Sequence, residues 1–262
     1  MNLDNINENI VVFIDILGMS NDIRKCDTKE DIRNLVDKVN RLREIFTADY
    51  EPWLYMAPFL KSRKFSYFSD CAFLNVPMGR YMSPVFFEEF IAYISIVQAK
   101  CVHDGIFLRG GIEFSWLFSE DNTLIGPAAI DTVRLESEAL MPIITVGEDF
   151  YNTFVSPTVK RNENGKPMRS DYFSDFLIDK NGLYFIDYIK VYCEQDLVVK
   201  GIFEKAKWLS IHAKSIEKAY QSAPNDKAKE KYIWLAEYHN LSVDRVIGED
   251  VGFFSKVYCE LG

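Results

Sequence analysis

No two of the five cysteines, Cys26, Cys71, Cys101, Cys193 and Cys259, stand as a CxxC pair, and their number is odd. That excludes both a disulfide framework and a zinc-ligand spacing, and it suits a reducing cytoplasm. Positive charge is also short: 30 Lys and Arg stand against 39 Asp and Glu, a formal net charge of -9. Stable binding to nucleic acid or to an anionic membrane needs broad basic surface and is excluded, whereas a small phosphorylated ligand needs only a few local cations and a metal. No apolar run approaches the ~20 residues of a membrane span, and no basic start precedes an apolar stretch as in a secretory signal, so the reading is of a soluble cytoplasmic chain. Histidine is limited to His103, His212 and His239, and no serine or cysteine triad can be assembled around them.

What is abundant is core material. Hydrophobic residues make up 48% of the 262, with 20 Phe and 14 Tyr, enough for one packed core plus an elaboration. Ile10 to Ile16 (IVVFIDI) is a β-branched run that reads as a strand buried on both faces, broken by Gly18. From Thr28 to Phe46 the apolar residues follow helical spacing, with Thr28 and Asp31 placed as a capping pair. Phe65 to Val76 reads as two strands joined by a tight turn, or as one strand bent at Ser69 and Asp70. Ser83 and Pro84 start a second long helix that Gly105 ends. Ile106 to Phe118 returns as a strand whose central glycines allow close approach of a ligand.

The order βαββαβ is the ferredoxin-like α+β arrangement, an antiparallel sheet with two helices on one face. Beyond it, Gly126 to Leu140 reads as a helix, Ile143 to Val146 as a strand, and the polar Ser156 to Arg169 as an exposed connection. Leu183 to Val191 reads as a strand. Asp196 to Gln221 and Asp226 to Asn240 read as helices separated by Pro224.

Asp15, near the end of the first strand, and Asp70, at the hairpin, come side by side if those strands pair antiparallel. Two close carboxylates suit Mg²⁺ or Mn²⁺, which prefer oxygen ligands. An Asp at a strand end is also a common cap or turn residue.

Four blocks then follow one another: FIDILGMS with Asp15, YFSDCAFL with Asp70, FLRGGIEF with Arg109, and IGPAAIDTVRLES with Arg134. In content and order they resemble the class III nucleotidyl cyclases over roughly residues 10 to 140. The wording FIDILG, FSD, LRGGI, GPA and RLES, with GLYFIDYI and KYIWLAEYHN further on, resembles one branch, the pyrimidine cyclases of bacterial Pycsar anti-phage systems.

The resemblance implies a class III cyclase core over residues 1–155, an exposed connection over 156–181, and a mostly helical C-terminal extension, 182–262, packed on the core. It implies cyclisation of UTP, or alternatively CTP, to a 3′,5′-cyclic monophosphate and pyrophosphate, sensed by a separate effector. Two divalent ions, Mn²⁺ or Mg²⁺, would sit on Asp15, Asp70 and the backbone of Ile16. Arg109 would neutralise triphosphate charge, and Arg134 would stabilise the transition state from the other chain of a homodimer with composite sites. The base-reading places hold Ser66, beside Tyr67, and Thr123, where short hydroxyls argue against purines. One departure is Ile130, which stands where the motif has Asn, one turn before Arg134. A homology module without catalysis is therefore a rival. A diguanylate cyclase is another, but its GG(D/E)EF signature is absent.

Overall fold

The computed structural model describes residues 6–48, 58–78, 84–120, 123–156, 177–180, 182–194, 199, 201–248 and 257–261. They fall into two compact units. The first holds residues 1–16, 47–93 and 109–187, and the second 17–46, 94–108 and 188–262.

The first unit is built on one sheet. Its strands are β1 (Ile6–Ile16), β2 (Lys64–Phe68), β3 (Cys71–Pro77), β4 (Leu108–Glu120), β5 (Thr123–Ile125), β6 (Ile144–Val146), β7 (Leu177–Lys180) and β8 (Leu183–Ile186). They lie in the order β2-β3-β1-β4-β6-β8-β7, with β5 pairing β4. The stretch β2-β3-β1-β4 is the ferredoxin-like order. In β1, Ile10, Val11, Val12 and Ile14 are at most 1% exposed, so the apolar run is covered on both faces. Each such side chain contributes about 1.5–3 kcal/mol relative to leaving it exposed. That burial also locks the register, because a one-residue slip would turn every side chain to the other face.

Strands β1 and β3 run antiparallel from Asn9↔Pro77 to Asp15↔Cys71, and β2 pairs β3 up to Phe68↔Cys71. The Phe65–Val76 segment is thus two strands, joined by Ser69 and Asp70. Ser69 takes φ 55, as primed two-residue hairpins require.

Helix α4 (Pro127–Ala139) packs on β1 and β6 through Ala128, Thr132, Leu135, Glu136 and Ala139. The central glycines of β4 serve this packing. A Cβ on Gly111 would lie 2.5 Å from the Thr132 carbonyl oxygen and 2.7 Å from Leu135 Cβ, and one on Gly110 would lie 2.3 Å from the Phe13 oxygen. What approaches these glycines is the protein's own backbone and helix, where a ligand was expected.

The chain beyond α4 differs from the sequence reading. Strand β8 ends at Ile186, and Tyr188–Glu194 forms a helix, α6, in the second unit. β8 pairs β6 through Thr145↔Phe185 and Val146↔Tyr184, and β7 pairs β8. The sheet therefore claims the end of the expected connection and the start of the expected extension, because Leu177, Phe185 and Ile186 are buried in it. Of the expected connection, residues 157–176 lie outside those described. A short helix, α5 (Glu148–Phe150), continues as π-helix through Tyr151–Val155.

The second unit holds α1 (Met19–Arg24), α2 (Lys29–Thr47) except its last residue, the end of α3 (Pro84–His103), α6, α7 (Gly201–Ser222) and α8 (Asp226–Ile247). The capping pair forms as expected. Thr28 Oγ1 accepts from the Asp31 amide at 3.1 Å while Asp31 Oδ2 accepts from the Thr28 amide at 2.9 Å. α7 and α8 pack together across Pro224, and Asn225 caps α8 by accepting from the Ala228 amide at 2.9 Å. Between them His212 and His239 stack at 4.8 Å, both buried. Among the described residues no helix is long and apolar enough to cross a membrane.

Candidate active site

Antiparallel pairing of β1 with β3 sets Asp15 opposite Cys71, the residue after Asp70. Ligand atoms of Asp15, Asp70 and Cys71 consequently lie within 4.8 Å of one another. Burial raises the Asp15 carboxyl above the ordinary carboxylate range; Arg109 opposes that shift, and Asp70 adds to it. The Cys71 thiol is pushed up to about 12 by burial and by Asp15 and Asp70, so it stays protonated and donates to Asp15 Oδ1 at 3.5 Å. Two carboxylates beside a neutral thiol form an oxygen-dominated donor set that fits Mg²⁺ or Mn²⁺ better than a thiophilic metal. Ile16 ends β1 at 1% exposure, and its side chain offers no ligand.

Arg109, on β4, is held by two carboxylates. Its Nε and Nη2 donate to Asp15 Oδ2 at 2.9 and 2.7 Å, and Nε also lies 2.5 Å from Glu136 Oε1 in an ion pair. Glu136 comes from α4 and is 6% exposed. The sequence reading assigned Arg109 to triphosphate and did not connect it with Glu136. A signal existed: Glu136 follows Ala128 and Thr132 at helical spacing on the buried stripe, and an acid there needs a partner. Cys71 was likewise passed over, although it adjoins Asp70. A second buried glutamate, Glu113, is satisfied differently. Its Oε1 accepts from the amides of Phe114 and Phe150 at 2.8 and 2.7 Å, which ties β4 to α5.

Arg134 is not drawn into this cluster. Its side chain is 56% exposed and pairs along its own helix with Glu138 at 3.1 Å and Asp131 at 3.4 Å. Ile130, one turn earlier, is 72% exposed, and Val133 is exposed beside it. Helical periodicity explains the split, since two residues turn the direction by about 200°.

Ser66 pairs with Phe73, and Phe73 with Phe13. Because side chains alternate along strands, this row shares the face of Asp15 and Cys71, one pleat repeat away. Phe13 and Phe73 rings meet at 4.7 Å. Tyr67 points to the opposite face, where its ring stacks on Phe65 at 6.3 Å. Thr123 is exposed on β5 opposite Glu120. A cavity of about 640 Å³ in the helical unit, beside Arg41 and Asp104, contains none of these residues.

No family model and no curated protein matches the chain. Among solved structures it is similar to the adenylyl cyclase CyaB from P. aeruginosa, at 15% identity and TM-score 0.40 over 69% of this chain and 94% of that one. It is similar to the monomeric guanylyl cyclase domain of the RhoGC fusion protein from the aquatic fungus Blastocladiella emersonii, at 11% identity and TM-score 0.45 over 69% and 94%. A third is a class III adenylyl cyclase-like ATP-binding protein from Pseudomonas aeruginosa, at 13% identity and TM-score 0.43 over 58% of this chain and 36% of that one.

Proposed function

We propose that this chain is a metal-dependent class III nucleotide cyclase that converts a pyrimidine nucleoside triphosphate, UTP before CTP, into its 3′,5′-cyclic monophosphate and pyrophosphate. The observation that carries the reading is the convergence of Asp15, Asp70 and Arg109. Two carboxylates from neighbouring strands meet within ligand reach, with a guanidinium 2.7 Å from one of them. These three residues come from the first three of the four sequence blocks.

In the proposed mechanism the ribose 3′-oxygen attacks the α-phosphorus in line, the bond to the β-phosphate oxygen breaks, and pyrophosphate leaves. Bound divalent ions would supply Lewis acidity, easing deprotonation of the 3′-hydroxyl and balancing triphosphate charge. Asp15 and Asp70 would hold the ions, and Arg109 would turn a donor face to the phosphates. Ser66 and the Phe13–Phe73 row offer a small polar and aromatic seat for the base and Thr123 is a further proposed contact, while Tyr67 faces away from that row and is not retained as one. Arg134 stabilises the charge that develops on the α-phosphate.

Because Arg134 faces away from Asp15 in its own chain, it would serve the site of a second copy, giving a two-fold dimer with composite sites. The exposed apolar Ile130 and Val133 beside it support that reading. The product would signal to a separate effector, as in the anti-phage systems that the sequence resembles.

The test is incubation of purified protein with Mn²⁺ and each of UTP, CTP, ATP and GTP, followed by chromatography. Cyclic UMP is expected to dominate, with less cyclic CMP. A dominant cyclic AMP would overturn the pyrimidine assignment. The second reading, a homology module that signals without catalysis, is favoured by Ile130 at the Asn position, and no product from any nucleotide would select it.

A further inference from the structure

Two carboxylates, Asp15 and Glu136, contact the Arg109 guanidinium, and Asp70 lies beside Asp15. The contacts are unequal. Nε–H and Nη2–H are both directed at a single oxygen, Asp15 Oδ2, whereas Glu136 Oε1 approaches the same Nε as a charge partner. Asp15 Oδ1 accepts from the Cys71 thiol and keeps one lone pair, while both lone pairs of Oδ2 are taken by Arg109, so a divalent ion that engages both oxygens of Asp15 competes with Arg109 for Oδ2.

A guanidinium freed from Asp15 and left without an anion in this half-buried place would be costly. Glu136 lowers that cost: it is 6% exposed, sits on a helix packed against β1, and already contacts Nε. Its place on the buried stripe of α4, where an apolar residue would pack as well, needs such a reason.

We infer that Glu136 is a positioning residue that receives Arg109 from Asp15 when a divalent ion engages the site, so that the ion and the guanidinium stand side by side instead of competing for one carboxylate. The inference rests on the metal reading of Asp15 above. A small rotation of the guanidinium, redirecting Nε–H from Asp15 to Glu136, is enough to perform the exchange.

The experiment is Mn²⁺ titration of the full chain without nucleotide, followed by electron paramagnetic resonance of free Mn²⁺. Wild type is compared with Glu136→Gln, Glu136→Asp, Arg109→Gln and the double variant Glu136→Gln/Arg109→Gln. Circular dichroism checks the fold of each.

Glu136→Gln should weaken Mn²⁺ binding by about 3- to 10-fold, a coupling typical of groups in one network. Glu136→Asp, which keeps the charge but shortens the reach, should weaken it in the same direction. Arg109→Gln should tighten binding, and in that background Glu136→Gln should change it less than about 2-fold. If Glu136→Asp binds as wild type does, or if Glu136→Gln costs the same with and without Arg109, Glu136 acts only as a distant charge and the inference is overturned. Should Glu136→Gln fail to fold, Glu136→Asp and Arg109→Gln decide alone by the same criteria. Asp15→Asn separates the two levels. Mn²⁺ binding indifferent to Asp15→Asn overturns the metal reading itself, while binding that needs Asp15 but ignores Glu136 overturns only this inference.

Discussion

Glu136 and Arg134 stand two residues apart on one helix and face opposite ways. Glu136 is 6% exposed and contacts Arg109, while Arg134 is half exposed and, among the described residues, paired only within its helix. A single α-helix thus braces the site of its own chain with one residue and offers the other outward. The proposed composite dimer predicts complementation. Asp15→Ala and Arg134→Ala should each be inactive alone. When the two are co-refolded in equal amounts, about half the dimers are mixed, and each mixed dimer carries one intact site. Activity should return to roughly a quarter of wild type, measured as cyclic nucleotide yield. No recovery despite demonstrated subunit exchange would place all the residues in one protomer.

The two aspartates should be equivalent for activity and different for stability. Asp15→Ala and Asp70→Ala are each expected to abolish cyclisation, since each removes a carboxylate ligand. Asp15 is also the hydrogen-bonded anion of Arg109, and Glu136 at Nε makes up for part of its loss, so its removal should cost about 1 kcal/mol of folding stability by urea titration, against less than about 0.5 kcal/mol for Asp70. Equal losses of stability would mean that the Arg109 pair contributes nothing.

Gly111→Ala tests whether α4 must lie directly on β4. The added methyl would meet the Thr132 carbonyl oxygen at 2.5 Å, which neither backbone can yield without moving the helix. Overpacking of this kind costs about 1–3 kcal/mol. Because α4 carries both Glu136 and Arg134, cyclisation should fall more than 10-fold even where the variant is fully folded at the assay temperature, a drop of about 1.4 kcal/mol in transition-state stabilisation. Wild-type kinetics in Gly111→Ala would show that the helix position is not critical.

Acid should weaken the helical unit through its buried histidines. Burial, with a contribution from His239, holds His212 well below its ordinary value, and burial lowers His239 to about 4, partly offset by its bond to the Val257 carbonyl. The folded state keeps both rings neutral while the unfolded chain protonates them near 6.5. Their stability contribution is therefore full above about pH 6.5 and is lost as pH falls toward the folded values, by on the order of 3 kcal/mol for His239. Tyr188 OH lies 2.5 Å from His212 Nε2, and no carboxylate is paired with either ring among the described residues. Thermal midpoints between pH 7.5 and 5 should drop, and more gently in His239→Gln. Midpoints independent of pH in wild type would contradict the burial argument.

Much of this was legible beforehand because it depends on local chemistry. Seven consecutive residues from Ile10 announce a covered strand. Thr28 and Asp31 announce a helix start, and the hairpin at Ser69 and Asp70 brings two carboxylates together once antiparallel pairing is assumed. The reading failed where one local pattern fits two structures. Leu183 to Val191 is apolar enough for a strand throughout, yet only the first four residues find strand partners, in β7 and, for Tyr184 and Phe185, in β6, and Tyr188 onward coils as a helix.

The sequence by itself determined the ferredoxin-like strand order, the capped second helix and the candidate aspartates, since periodicity, turn chemistry and motif order act over a few residues. Only the tertiary structure decided the partners of Arg109, because its two carboxylates lie 94 and 27 positions away in the chain and meet it through sheet register and helix packing. It also decided that the glycines of β4 admit α4 rather than a ligand, and that Arg134 faces outward. Such choices depend on which surfaces of different elements meet, and spacing within one element does not encode that.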